Sequence, residues 1–250
     1  MVKLNFDVKK HILPNGLEVL TIKKDTQISS INVGIKVGAL NESLNEKGIS
    51  HFIEHMLFKG TINRNFEALN DDLESLGGEY NAYTDYSQTV YSISCLEEEL
   101  VNAIDLLSDM IIHSDFPLEE IEKERGVILA ELRASKDSVE DYSFRRTNEV
   151  AFTESALRYD VAGFDKNVKS FNRKELVEYY NKYYLPNNSL ITMVSSLSHE
   201  EAIKKIIKAF GEWKPGKRIQ CKVKDEKNKC TKEISKKENI ELSTIIYLFT

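Results

Sequence analysis

The residues of this 250-residue chain with the clearest chemical meaning lie in the run His51-Phe52-Ile53-Glu54-His55. On an α-helix, residues four apart project about 40° from each other, so both imidazoles can reach one metal ion. Glu54 falls on the same side, where its carboxylate could take a proton from a water molecule at that metal. Chance produces H-x-x-E-H about 0.01 times in such a chain. The spacing therefore predicts a catalytic metal site, and the alternative is two surface histidines flanking a solvated glutamate.

A third ligand must come from another segment, because a catalytic zinc site commonly has three protein ligands and one open position. Glu124 and Glu131 lie seven residues apart in a segment with helical spacing. On a helix they share one face within about 20°, so one can bind the metal while the other supports it. Glu131 follows three apolar residues, 127–129, and is expected to point inward. For Glu124, a salt bridge on the helix surface is a competing role.

The elements that position these groups follow from hydrophobic periodicity, which alternates in strands and repeats every three or four residues in helices. The predicted strands are 10–13, 17–22, 31–37, 79–84, 89–95, 189–194 and 240–249. The predicted helices are 48–58, 66–76, 97–113, 118–134, 139–151, 173–184 and 200–210. Hairpins and helices without regular βαβ units predict an α+β fold, with a mainly antiparallel sheet packed against helices.

Composition narrows the classes of partner and location. The net charge is −6, yet residues 214–237 hold ten Lys/Arg against three Asp/Glu, so the rest of the chain is more acidic than the total suggests. An acidic body argues against nucleic acid as a partner. No apolar run resembles a signal peptide or could cross a membrane. Three cysteines without C-x-x-C spacing, Cys95, Cys221 and Cys230, argue against a disulfide framework. These features predict a cytoplasmic protein.

Beyond these patterns, the sequence resembles the inverted-motif zinc peptidases that include pitrilysin, insulin-degrading enzyme and the mitochondrial processing peptidase. In that family a glutamate about 75 residues downstream completes the H-x-x-E-H pair, and Glu131 lies 76 residues after His55. A second family glutamate, seven positions earlier, corresponds to Glu124. The resemblance also includes the runs Gly48-Ile49-Ser50, Phe58-Lys59-Gly60-Thr61, Asn81-Ala82-Tyr83-Thr84 and Tyr184-Leu185-Pro186-Asn187-Asn188.

The resemblance implies that His51, His55 and Glu131 bind Zn²⁺, which polarises a water molecule from which Glu54 takes a proton. Glu124 is the second glutamate expected to serve catalysis. The resemblance also implies that an extended peptide substrate adds as a strand beside Asn81, Ala82 and Tyr83. On sequence alone, a plain buried hairpin strand is an equally good interpretation of that last segment.

The domain organisation follows from the same resemblance, because the family encloses peptides between two homologous halves. Residues 1–213 are expected to form a catalytic zinc-peptidase domain, 214–239 a charged linker, and 240–250 the truncated start of a second half. The function predicted is a zinc-dependent endopeptidase that hydrolyses unstructured peptides and needs that second half, or a partner subunit, for full activity. The alternatives are a non-catalytic or partner-dependent subunit, and S-ribosylhomocysteine lyase, which shares the paired histidines but has a different third ligand.

Overall fold

A six-stranded sheet forms the centre of the molecule in a computed structural model of the protein, which describes residues 6–219, 232–236 and 244–248. The strands are β1 (Asp7–Ile12), β2 (Glu18–Lys23), β3 (Ile28–Ile35), β4 (Glu79–Thr84), β5 (Thr89–Leu96) and β6 (Ser189–Ser195). Their order across the sheet is β1-β2-β6-β3-β5-β4. Only the pairing of β2 with β6 is parallel among these strands. The predicted α+β fold with a mainly antiparallel sheet is confirmed.

Eight α-helices accompany the sheet in the described part of the chain. They are α1 (Ile49–Met56), α2 (Phe66–Ser75), α3 (Leu100–His113), α4 (Leu118–Asp137), α5 (Val139–Ala151), α6 (Asp165–Ser170), α7 (Arg173–Tyr183) and α8 (His199–Phe210). Seven of them match predicted helices, whereas α6 was not predicted. It has six residues, of which only Asn167 and Val168 are buried, and so few inward positions give no readable period.

One face of the sheet is buried, as the alternation in β3 predicts. Ile31, Val33 and Ile35 are fully buried, while the residues between them are partly exposed. Helices α3 and α8 contact this sheet and each other. Because each large aliphatic side chain contributes about 1.5–3 kcal/mol when fully buried, this face fixes the register of the central strands.

Strand β4 lies at one edge of the sheet, and helix α1 packs against it. Helix α1 also contacts α4 and α7. The segment with the paired histidines is therefore placed between a sheet edge and the helix that carries Glu124 and Glu131.

The C-terminal predictions fall largely outside the described residues. Of the linker at 214–239, residues 214–219 and 232–236 are described, and of the strand at 240–249, residues 244–248 are described; none of these has helix or strand structure. The rest of both predictions lies outside the described residues. Among the helices that are described, none combines the length and the apolar character that crossing a membrane requires.

Candidate active site

Helix α1 presents its chemical groups to the site because its other face is anchored in the core. Its buried residues are Ile49, Ser50, Phe52, Ile53 and Met56. The start of the helix is fixed by the buried carboxylate of Glu42, which accepts the backbone N–H groups of Gly48 at 3.0 Å and Ser50 at 2.9 Å. A carboxylate at a helix N-terminus satisfies N–H groups that have no partner within the helix. His51, Glu54 and His55 are left on the partly exposed side.

Three potential ligand atoms converge above α1. The Nε2 atoms of His51 and His55 lie 3.2 Å apart. The Oε2 atom of Glu131 lies 3.5 Å from His55 Nε2 and 3.9 Å from His51 Nε2. Ligands bound at about 2.0–2.1 Å around a tetrahedral zinc ion are separated by about 3.3 Å. The three atoms therefore fit a single zinc ion closely, and the arrangement brings together the three predicted ligands.

Glu124 lies behind His55 rather than among the ligand atoms. Its Oε1 accepts a hydrogen bond from His55 Nδ1 at 2.7 Å, and its Oε2 lies 2.9 Å from Lys59 Nζ. With Nδ1 engaged in this way, His55 turns Nε2 toward Glu131. A carboxylate in this position typically fixes the tautomer and the orientation of a histidine ligand.

The expectation that Glu131 points inward is wrong, because the exposures of the two glutamates are reversed. The Glu131 side chain is 48% exposed and that of Glu124 is 7% exposed. The buried positions of α4 include Ile121, Glu124 and Ile128. Both glutamates are on nearly the same side of the helix, but Glu124 is covered by α1 and Lys59, whereas Glu131 borders the open part of the site. The surface salt bridge considered for Glu124 is instead a buried one.

The electrostatic environment prepares the two histidines differently. Burial, together with the neighbouring His55, lowers the pKa of His51 to about 4. His51 is thus neutral at pH 7, the state that a metal ligand requires. Burial also disfavours the charged form of His55, but the hydrogen bond to Glu124 and the charge of Glu131 outweigh it and raise the pKa of His55.

Glu54 is held by a threonine hydroxyl from the end of β4. Thr84 Oγ1 donates a hydrogen bond to Glu54 Oε2 at 2.6 Å. Burial raises the pKa of Glu54, and the bond from Thr84 partly opposes that effect. A raised pKa brings a carboxylate closer to the range in which it can both accept and return a proton near neutral pH.

The edge strand β4 lies beside these groups, with Asn81, Ala82 and Tyr83 at its centre. The Oδ1 atom of Asn81 accepts the backbone N–H of Ala82 at 2.9 Å, and Tyr83 is 50% exposed. A cavity of about 270 Å³ lies between the strand and His55. Its lining residues are Glu54, His55, Phe58, Lys59, Tyr80, Asn81, Ala82 and Glu124. Asn81 and Ala82 of the predicted substrate-binding segment therefore share a cavity with Glu54 and His55, whereas Tyr83 does not line it.

Sequence reasoning did not identify three residues that support the site: Glu42, Lys59 and Thr84. Lys59 and Thr84 lie within runs quoted for the family resemblance, but nothing in their spacing indicates which group they contact. Glu42 had no detectable signal, because a carboxylate seven residues before a helix resembles any loop residue. Each of the three residues supports the site through a contact with another segment of the chain: Glu42 with the start of α1, Lys59 with Glu124, and Thr84 with Glu54.

Comparison with known proteins supplies the family. The family model described as "Insulinase (Peptidase family M16)" matches residues 18–164, and the one described as "Peptidase M16 inactive domain" matches residues 170–250. A relative described as an uncharacterized zinc protease of Rickettsia bellii is 34% identical over 218 residues, covering 87% of this chain and 52% of the relative. The mitochondrial-processing peptidase subunit beta of Bos taurus is 35% identical over 202 residues, covering 80% of this chain and 41% of the relative.

Solved structures show the same fold. A protease from Helicobacter pylori has a TM-score of 0.83 at 24% identity, covering 90% of this chain and 55% of that protein. The first half of the periplasmic protease PqqL from Escherichia coli has a TM-score of 0.79 at 25% identity, covering 88% of this chain and 49% of that one.

Taken with the cluster of three residues that could hold a metal ion, these matches define the class: the chain has the fold of zinc peptidases. Because the insulinase match spans more than half of the chain, the protein belongs to peptidase family M16. The chain spans about half the length of the curated relatives that it matches.

Proposed function

We propose that the protein is the catalytic half of a zinc-dependent endopeptidase that hydrolyses unstructured peptides. The observation that carries this proposal is the convergence of His51, His55 and Glu131 on one point, beside an exposed sheet edge. Relatives described as zinc proteases support the choice of metal and of reaction.

In this proposal His51, His55 and Glu131 hold the zinc ion. When bound there, zinc supplies a Lewis acid that polarises the scissile carbonyl and acidifies a water molecule. Neutral imidazole and carboxylate are ligands that zinc commonly takes. The lowered pKa of His51 keeps one of them ready at neutral pH.

Glu54 is the proposed general base. It takes a proton from the attacking water and then transfers that proton to the leaving amine as the peptide bond breaks. The hydroxyl of Thr84 fixes one carboxylate oxygen of Glu54, so the other oxygen is left to accept the proton. Glu124 is a positioning residue in this scheme, because it contacts His55 and Lys59 rather than the reacting atoms.

The substrate is proposed to bind as an added strand along β4. An extended peptide pairs with the free backbone of an edge strand, which gives affinity without requiring a particular sequence. This mode favours unstructured substrates, because an unstructured chain can lie in extended form beside Asn81, Ala82 and Tyr83 without first unfolding.

A second half or a partner subunit is proposed to complete the enzyme by closing over the site. The support is that the chain corresponds to about half of its relatives, one of which is described as a subunit and another as a first half. We expect weak or absent turnover by this chain alone and a gain in turnover when a second half is supplied.

The test compares the wild type with Glu54→Gln for zinc content and for cleavage of an internally quenched, unstructured peptide. Both measurements are made on the protein alone and on its complex with a second half. Both forms should bind one zinc ion, and only the wild type should cleave. Cleavage by Glu54→Gln would contradict the proposed base. Zinc in both forms, with no cleavage by either complex, would instead indicate a non-catalytic subunit.

A further inference from the structure

A second cavity, of about 310 Å³, lies close to the candidate active site but shares no lining residue with the first cavity. We call it the arginine cavity, and it is lined by Tyr86, Ser135, Asp141, Phe144, Arg145, Asn148, Arg158, Tyr159, Asp160 and Val161. Ser135 is one helical turn beyond Glu131 on α4, and Tyr86 is two residues beyond Thr84 at the end of β4. One edge of the arginine cavity therefore lies at a Cα spacing of about 6–7 Å from Glu131 and from Thr84.

Two guanidinium groups in this cavity have hydrogen-bonding capacity left over. Arg145 is 19% exposed, lies 4.0 Å from Asp160 and stacks over the ring of Tyr142. Among the described residues, its guanidinium donates no hydrogen bond within normal distance. Arg158 donates to the backbone oxygen of Thr153 at 2.7 Å, but its buried Nε has no partner within the described chain.

The acidic residues of the cavity leave this capacity unfilled. Asp160 Oδ1 accepts the backbone N–H of Ala162 at 3.0 Å, and its other oxygen is at the limit of an ion pair with Arg145. Asp141 is exposed at the start of α5 and forms no ion pair with the described residues. The lining therefore holds two guanidinium groups with unused donors beside two carboxylates, and of these charged groups only Arg145 and Asp160 approach each other, at 4.0 Å. A guanidinium group matches the geometry of a carboxylate.

From this geometry we infer that the arginine cavity is a substrate subsite for an acidic side chain, Glu or Asp. The inference rests on the proposed function, because it needs a peptide bound along β4. In an extended peptide each residue advances about 3.3 Å, so about two residues span the backbone spacing between Glu131 and the near edge of the cavity. The aromatic rings of Phe144 and Tyr159 provide an apolar wall for its methylene groups.

The experiment measures binding rather than turnover, so it does not depend on an active complex. The protein carrying Glu54→Gln is titrated into fluorescent, unstructured ten-residue peptides with amidated C-termini. One glutamate is moved along the peptide, and each peptide is compared with its Gln and Lys counterparts by fluorescence anisotropy. We expect one position at which Glu binds about tenfold tighter than Gln. Equal binding of Glu and Gln at every position, or tighter binding of Lys at the best position, would overturn the inference.

The residues are assigned by substitution. Arg145→Gln together with Arg158→Gln should bring the Glu and Gln peptides to equal affinity, whereas Arg146→Gln should leave the preference intact. Arg146 is the matched control, because it is the next residue on α5 and pairs with Glu149 outside the cavity. A preference that persists in the double variant would overturn the assignment. If that variant does not fold, Arg145→Glu serves instead and should shift the preference from Glu to Lys; an unchanged preference for Glu would overturn the assignment equally.

Two further comparisons are needed. The first distinguishes the carboxylate of a side chain from that of a free C-terminus, and the second distinguishes failure of this inference from failure of the proposed function. Peptides that end at the best position are tested with a free and with an amidated C-terminus. A gain confined to the free C-terminus would overturn the side-chain assignment and give the cavity to a chain end. If the enzyme binds zinc and cleaves peptides but Glu and Gln bind equally, only this inference fails. If cleavage fails while the arginine-dependent preference is present, only the proposed function fails.

Discussion

Replacing Glu124 by glutamine should weaken zinc binding, although Glu124 is not a proposed ligand. In the structure its carboxylate accepts the Nδ1–H of His55 at 2.7 Å and pairs with Lys59 at 2.9 Å. Hydrogen bonds of this kind lower the pKa of Glu124 despite the opposing effect of burial, so the buried carboxylate is ionised at neutral pH. Glutamine keeps a similar shape but removes the charge that makes His55 a stronger ligand.

The size of the effect follows from that one contact. A hydrogen bond between a charged carboxylate and an imidazole is worth about 1.5–3 kcal/mol, and loss of such a support typically weakens metal binding 10- to 100-fold. We therefore expect the Kd for zinc to rise about tenfold in Glu124→Gln, which retains one acceptor. In Glu124→Ala, which leaves Lys59 without its partner, we expect a rise of about 100-fold.

Zinc affinity can be measured by competition with a chromophoric chelator, which needs neither a substrate nor a second half. Glu122→Gln is the matched control, because Glu122 is on the same helix but is exposed and pairs only with Arg125 among the described residues. Its Kd should equal that of the wild type, while Glu131→Gln should lose far more affinity than Glu124→Gln. A wild-type Kd in Glu124→Gln, with the fold intact by circular dichroism, would refute the role assigned to Glu124.

Three other substitutions test one support of the site and two features of the fold. In the complex with a second half, Thr84→Val should lower kcat about tenfold or more without changing zinc content or KM, since it removes the bond that orients the base; Thr84→Ser should restore kcat, and failure of that rescue would argue for a packing role. Asp109→Asn should lower the free energy of unfolding by about 1.5–3 kcal/mol in urea titrations, because it removes the charge from the buried carboxylate that accepts hydrogen bonds from Thr61, Asn63 and Arg64. Burial raises the pKa of Asp109, but hydrogen bonds from Thr61, Asn63 and Arg64 outweigh it and hold that pKa below its ordinary value of 3.8. The contribution of Asp109 to stability should therefore be complete above about pH 5 and fade as the pH falls toward the lowered folded pKa. An equal difference in unfolding free energy between wild type and Asp109→Asn at pH 7 and pH 3 would contradict this. Gly48→Ala should lower the free energy of unfolding by about 1–3 kcal/mol, because Gly48 has a φ of 97° and a Cβ there would lie 2.6 Å from the backbone oxygen of Ala162. An unchanged urea midpoint would contradict this and show that the backbone around Gly48 shifts at little energetic cost.

The sequence alone predicts the site where all the residues concerned lie on a single helix. His51, Glu54 and His55 are brought together by local geometry, so their spacing alone predicted one cluster. The predicted start of the helix at residue 118 is also the observed start of α4, directly after Pro117. In both places the relevant contacts lie within a few residues along the chain.

Contacts between distant segments were not predictable in the same way. The phases of Glu124 and Glu131 differ by about 20°, which is too little to show which of them would be covered. Glu124 is the buried one because α1 packs against α4 at that position and Lys59 pairs with its carboxylate. The link between Thr84 and Glu54 is equally non-local, because it joins the end of a strand to a helix 30 residues earlier.

The position of β6 has a consequence for how the protein is made. Strand β6 fills the gap between β2 and β3, so that Glu18 faces Leu190 in one pairing and Ile35 faces Ser189 in the other. During synthesis, the sheet cannot join the β1-β2 hairpin to the β3-β5-β4 group until residue 195 has left the ribosome, because β6 lies between them. Such pairings give a high contact order and slow folding. A chain cut between residues 164 and 170, where the two family matches meet, would expose two unpaired strand edges and be prone to aggregation.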